Sequence, residues 1–177
     1  AGRLVLGLEL DHEALEEDPY LPCVAGVDFG KVNDSTVLTV LGEDHRVLAW
    51  LELQGDDYES QFLILQEFLS RFPRLKKLCC DATGTQDMIV DRLRAGMRCE
   101  VEGVILTPQE NDQLYKGLAA AMLDRVDLEG RVAARAPLRY PRTDCVERER
   151  FTRQFLDLGK EVKANRWVCK APEGKGY

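Results

Sequence analysis

Residues 22–30 read PCVAGVDFG, and the reading of this stretch decides the fold. Pro22 and Gly30 bracket an apolar run that fits a buried strand, with one carboxylate, Asp28, near its C-terminal end. An acid in such a strand is costly unless it has a task. Working downstream, Ser35 to Leu41 and Val47 to Leu53 are rich in Val, Leu, Thr and Trp, and the polar Glu43-Asp44-His45-Arg46 joins them after Gly42. They read as an antiparallel hairpin that follows the first strand. Beyond Gly55 the apolar period changes from two to about 3.6, with Phe62, Leu65, Leu69 and Phe72 on one stripe until Pro73. That stripe predicts a helix. Lys77 to Asp81 is then a short strand ending in a second carboxylate, followed by an amphipathic helix bearing Ile89, Val90, Leu93 and Met97 and by a strand from Val101 to Leu106.

The remainder predicts a helix over 111–126 with Leu114, Leu118, Ala121 and Met122 inward, a second helix over about 144–158, and a small hairpin from 161–164 and 166–170. Upstream, the acidic segment Asp11 to Asp18 ends at Pro19 and Pro22, so residues 1–22 read as a linker or lead-in with one short helix, and 23–177 as the folded domain. Three strands, helix, strand, helix, strand, helices is the element order of an α/β protein. A three-strand antiparallel meander feeding two parallel strands gives an RNase H-like mixed five-stranded sheet flanked by helices.

Composition narrows the function. The chain has 177 residues, 45% hydrophobic and 31% charged, with a net charge of -7. This suits a domain whose core needs no cross-links. No run of eighteen apolar residues and no tripartite leader pattern occurs, which predicts neither a membrane span nor secretion. The six cysteines form no C-x-x-C pair and read as reduced, mostly buried thiols. Charge is uneven: residues 1–70 carry three basic and fifteen acidic side chains, residues 71–177 twenty-one basic and sixteen acidic. Seven arginines (Arg131, Arg135, Arg139, Arg142, Arg148, Arg150 and Arg153) lie within 23 residues, against three acids. Guanidinium forks in that density fit phosphate binding, and equally fit a solvated helix face laced with ion pairs.

Asp28 and Asp81 stand at strand ends, each before a Gly-containing turn. In an open α/β sheet ligands gather beyond the carboxyl ends of parallel strands, so neighbouring strands would aim both acids at one site. Such hard oxygen donors suit Mg²⁺ or Mn²⁺. The alternative is that each caps its own turn. Asp34, six residues after Asp28, is a third oxygen ligand or an ordinary turn residue. No phosphate-binding G-x-x-x-x-G-K-[ST] loop and no G-x-G-x-x-G follows a strand, and neither His12 nor His45 has a cysteine or serine partner suited to nucleophilic catalysis.

VAGVDFGKVNDSTVLTVLGEDHRVL (24–48), LKKLCCDATGTQDMIVDRL (75–93) and EVEGVILTPQENDQLYKGLAAAMLD (100–124) together resemble the nuclease domain of the large terminase subunit of tailed bacteriophages, from about residue 22 to the end. The features are the G-x-D-x-G strand with an acid six residues on, the C-C-D-A-T-G-T strand end, and an amide-rich entry into a helix bearing Tyr115 and Lys116. The resemblance implies an endonuclease that cuts double-stranded viral DNA concatemers during packaging, with little sequence specificity, by two-metal-ion hydrolysis with Mg²⁺ or Mn²⁺. It implies Asp28 and Asp81 as catalytic metal ligands with Asp34 assisting, an upstream ATPase domain of the same protein, the portal and small terminase subunit as partners, and the cytoplasm of the infected host as the location. A third carboxylate is expected in a helix after Tyr177, so the chain as written should hold at most one ion tightly and cut poorly. A RuvC-type resolvase of branched DNA and a DNA-binding module without activity are the rival readings. An actin-like ATPase needs more chain than this.

Overall fold

The computed structural model describes residues 5–30, 34–55, 58–83, 87–140, 153, 159–163 and 166–170. The chain divides into two compact units, Ala1–Ile105 and Leu106–Tyr177. The first is built on a six-stranded mixed sheet. Its elements are β1 (Val5–Leu10), α1 (His12–Glu17), β2 (Cys23–Asp28), β3 (Thr36–Gly42), β4 (Val47–Leu53), α2 (Tyr58–Leu69), β5 (Leu75–Asp81), α3 (Asp87–Gly96) and β6 (Glu100–Val104). In space the strands run β1-β4-β3-β2-β5-β6. The β2-β3-β4 meander is antiparallel, and β5 and β6 extend it in parallel from β2.

The meander and the two parallel strands lie where the sequence places them, but the sheet has six strands rather than five. Residues 5–10, read as lead-in, pair antiparallel with β4. The reason lies in β4, all seven of whose residues are buried. A strand so enclosed cannot leave its outer N–H and C=O groups unpaired, and β1 supplies their partners. Asp11 then caps α1, its Oδ1 accepting from the Ala14 N–H at 3.0 Å.

Alternation along β2 separates two jobs. Cys23, Ala25 and Val27 are buried, and Val24, Gly26 and Asp28 are exposed. The inward set joins Leu38, Leu51, Leu78 and Cys80 in one core with Phe62, Leu65, Phe68 and Leu69 of α2 and Val90 and Leu93 of α3. The 3.6-residue stripe of α2 is thus the face that packs. Among the described residues five cysteines are free, Cys23 and Cys80 being buried, and burial pushes the Cys23 thiol up to about 11. Cys145 lies outside the described residues.

The second unit comprises α4 (Pro108–Met122), β7 (Arg125–Val126), β8 (Val132–Ala134), β9 (Gly159–Lys163) and β10 (Arg166–Lys170). Thr107 caps α4, its Oγ1 accepting from the Glu110 N–H at 3.2 Å, and Pro108 opens the first turn. Those two residues start the helix earlier than the 111 expected, and it stops at Met122 because the chain turns into the β7-β8 hairpin before Val126. Leu114 and Met122, expected inward, are exposed at 55% and 37%. The helix packs instead on β10 through the flank carrying Asp112. Asp112 is buried, accepts the Trp167 N–H and the Lys116 ammonium at 2.7 Å each, and is held below the usual carboxylate range by those bonds. The terminal hairpin is present as β9-β10. The helix expected over 144–158 lies outside the described residues apart from Arg153, which is helical.

Candidate functional site

β2 and β5 are hydrogen-bonded neighbours running in parallel, with Val27 opposite Cys80. The next residue on each strand is the aspartate. Asp28 and Asp81 therefore end adjacent strands side by side, each following a core-facing residue and so turned to the other face of the sheet. This is the carboxyl-end crevice where open α/β sheets place their ligands. Asp81 is half-buried and also caps its own turn, one oxygen accepting the Thr83 N–H at 2.7 Å. That bond fixes the carboxylate and leaves its second oxygen for another partner.

Asp28 is held above its ordinary carboxylate range, first by partial loss of water around the carboxyl, then by the charge of Asp81 and then by that of Asp34. Three acids thus converge electrostatically on one strand end. Gly30 makes the approach of Asp34 possible: a Cβ there would lie 2.2 Å from the Asp34 carbonyl oxygen. The Gly30 N–H donates to Thr36 Oγ1 at 3.1 Å, folding the chain back after β2, and the Gly30 carbonyl accepts the Tyr58 hydroxyl at 3.2 Å. Thr36 and Tyr58 were not signalled by the sequence pattern. The only hint was a polar or aromatic side chain at the first position of a strand and of a helix.

Crowded carboxylates suit a hard divalent cation, which neutralises both while keeping water or phosphate in its other positions. The donor set fits that use as a two-carboxylate site. Among the described residues no group of three His, Cys, Asp or Glu is arranged to hold a metal ion. Glu52 lies in the same cross-strand row, opposite Val37, which is itself opposite Asp28. At about 4.8 Å per strand its main chain is some 10 Å from that of Asp28, two strands away.

Of the arginines, Arg131 pairs with Asp127 and Glu129 at 2.9 and 2.8 Å, and Arg135 with Asp124 at 3.0 Å, all around the β7-β8 hairpin. Their side chains remain 75% and 84% exposed, so donors still face water. Arg139 and Arg153 are exposed, and Arg142, Arg148 and Arg150 lie outside the described residues.

No family model matches the sequence, and no curated protein matches it. Solved structures do match. The large terminase nuclease of thermophilic phage G20c is 18% identical with a TM-score of 0.66, covering 89% of this chain and 76% of that one. The large terminase nuclease domain of Thermus phage P74-26 is 19% identical, TM-score 0.63, covering 89% and 73%. The nuclease domain of the large terminase subunit gp2 of bacterial virus Sf6 is 10% identical, TM-score 0.63, covering 91% and 82%. The G20c nuclease was also solved with magnesium and with cobalt, and an Sf6 gp2 mutant with manganese. With its mixed sheet, two parallel strands grown from an antiparallel meander and helices on the flanks, this chain has the RNase H-like fold of large terminase nuclease domains.

Proposed function

We propose that the chain is a divalent-metal-dependent endonuclease domain that hydrolyses phosphodiester bonds of double-stranded viral DNA during genome packaging. The observation that carries this reading is the side-by-side placement of Asp28 and Asp81 at the ends of parallel neighbours, in a fold shared with terminase nucleases. Asp28 and Asp81 would hold Mg²⁺ or Mn²⁺, and Asp34 would add negative charge beside them. A bound divalent ion supplies Lewis-acid stabilisation of the phosphate oxygens and lowers the pKa of water, so no protein nucleophile is required. The chain's own part is to hold carboxylates in place. The Thr83 amide orients Asp81, and the Asp34 main chain packed against Gly30 would bring the Asp34 charge to bear on Asp28.

Protons compete for the same oxygens. Because Asp28 holds its proton to higher pH than an ordinary carboxyl, metal loading should weaken as pH falls into that raised range. The arginines from Arg131 to Arg153 are proposed as phosphate contacts of the second unit, and contacts of this kind carry no base information. An ATPase domain, portal and small terminase subunit as partners, and action in the cytoplasm of the infected host, belong to the same reading. Among the described residues no helix is long and apolar enough to cross a membrane.

The test is a cleavage gel on linear duplex and on branched DNA, with and without Mn²⁺, for the parent and Asp28→Asn. Weak Mn²⁺-dependent cutting of linear duplex, lost in the variant, is expected. Preference for branched DNA would favour a resolvase, and metal-independent binding with no cutting would favour a binding module.

A further inference from the structure

Gly30 is gripped from two sides. Its N–H is held by Thr36, a buried residue that opens β3, and its carbonyl by the hydroxyl of Tyr58, the first residue of α2 and 28 positions away in sequence. Between them Phe29 is buried, edge-on to Tyr58 at 6.3 Å and to Phe62 at 5.6 Å between ring centroids. The Arg92 guanidinium lies 5.6 Å from the Phe62 ring and makes two hydrogen bonds to Glu59, at 3.2 and 3.0 Å. The start of α2 is thereby tied to α3, and Tyr58 is presented from an anchored turn. Tyr58 as a whole is 38% exposed, so burial alone explains little of its place. The hydroxyl takes hold of the backbone two residues beyond Asp28, on the path to Asp34.

We propose that Tyr58 is a positioning residue for the acidic site: its hydroxyl holds the Gly30 carbonyl and so fixes the end of β2 that carries Asp28 and against which the Asp34 main chain packs. This rests on the metal-dependent reading above. Metal ligands must be held within about 0.5 Å of their working geometry, and a packed shell around the ligands does that. Thr36 and Tyr58 are that shell on the β2 side, as the Thr83 amide is on the β5 side.

Tyr58→Phe keeps the ring and removes the hydroxyl. Three measurements on parent and variant decide the matter: thermal denaturation, hydrogen exchange of the Gly30 amide in metal-free buffer, and Mn²⁺ titration calorimetry. One hydrogen bond lost predicts roughly 3- to 10-fold weaker Mn²⁺ binding and several-fold faster Gly30 exchange, with the melting temperature lowered by no more than about 6 °C. Thr36→Val, which removes the other grip, should move exchange and affinity in the same direction. Parental exchange and parental affinity in Tyr58→Phe would overturn the proposal, and faster exchange with unchanged affinity would overturn its bearing on the metal. A parent that binds no Mn²⁺ would instead overturn the nuclease reading, while the exchange comparison still tests the grip.

Discussion

Gly30→Ala tests the local geometry of the site with a single methyl group. The added Cβ would sit 2.2 Å from the Asp34 carbonyl oxygen, 2.6 Å from the Asp34 carbonyl carbon and 2.7 Å from that of Ser35. Non-bonded heavy atoms settle near 3.5 Å, so the facing backbone must retreat by about 1 Å. All three opposing atoms are main chain, and no side chain can swing away to make room. Gly30 does not have a positive φ, so the cost is steric contact and not a forbidden backbone angle. Overpacking of this kind costs about 1–3 kcal/mol. For a chain of this size that is roughly 2–12 °C in melting temperature. Because the atoms pushed aside belong to Asp34 and Ser35, Mn²⁺ affinity should fall along with stability. Gly26→Ala is the control on the same strand: a Cβ there meets nothing within 4 Å, so neither quantity should move. Thermal denaturation by circular dichroism and Mn²⁺ calorimetry on both variants suffice. Gly30→Ala melting within 1 °C of the parent, with parental affinity, would refute the close approach and the site geometry drawn from it.

Asp28→Asn should raise the melting temperature in metal-free buffer, since like charges on strands about 4.8 Å apart repel by about 1 kcal/mol when exposed to water. A carboxyl with a raised folded pKa adds stability below the ordinary value of about 4, and that stability is lost as pH rises through the folded pKa. Melting curves in chelator from pH 4 upward should therefore show a decline that Asp28→Asn flattens and Mn²⁺ reverses. In the second unit Asp112→Ala removes the acceptor of the Trp167 amide and the Lys116 ammonium, and should speed proteolysis of the β9-β10 hairpin. Because those bonds lower the Asp112 pKa, their contribution is present above the ordinary carboxyl range and fades as pH falls through the lowered value. Arg139→Ala with Arg142→Ala should lower DNA affinity and reduce the slope of log affinity against log salt by about 1 for each phosphate contact removed; an unchanged slope would mark a solvated face.

Periodicity made most of the first unit legible. The alternation ending in Asp28, the 3.6 stripe of Phe62, Leu65 and Leu69, and the short strand ending in Asp81 each state which face is buried, and burial is what the fold satisfies. That Asp28 and Asp81 would meet depended on strand order, which no local pattern contains. β1 was missed because the demand for it comes from the unpaired edge of β4 and not from its own six residues. The apolar stripe of Leu114 and Met122 on α4 does not mark its packed face, because a polar group, Asp112, makes the bond across to β10. Tyr58 and Thr36 act through single hydrogen bonds to one glycine, and a sequence shows neither partner of a bond made across 28 residues.

The central claim is that Asp28 and Asp81 form one divalent-metal site. Calorimetric titration of Mn²⁺ into the parent, Asp28→Asn and Asp81→Asn tests it most directly, with melting curves to show that each variant is folded. The parent should bind Mn²⁺, and either substitution alone should abolish measurable binding, because it removes one of the two anionic ligands that adjacent strand ends supply. Parental affinity in a folded Asp28→Asn or Asp81→Asn would contradict it.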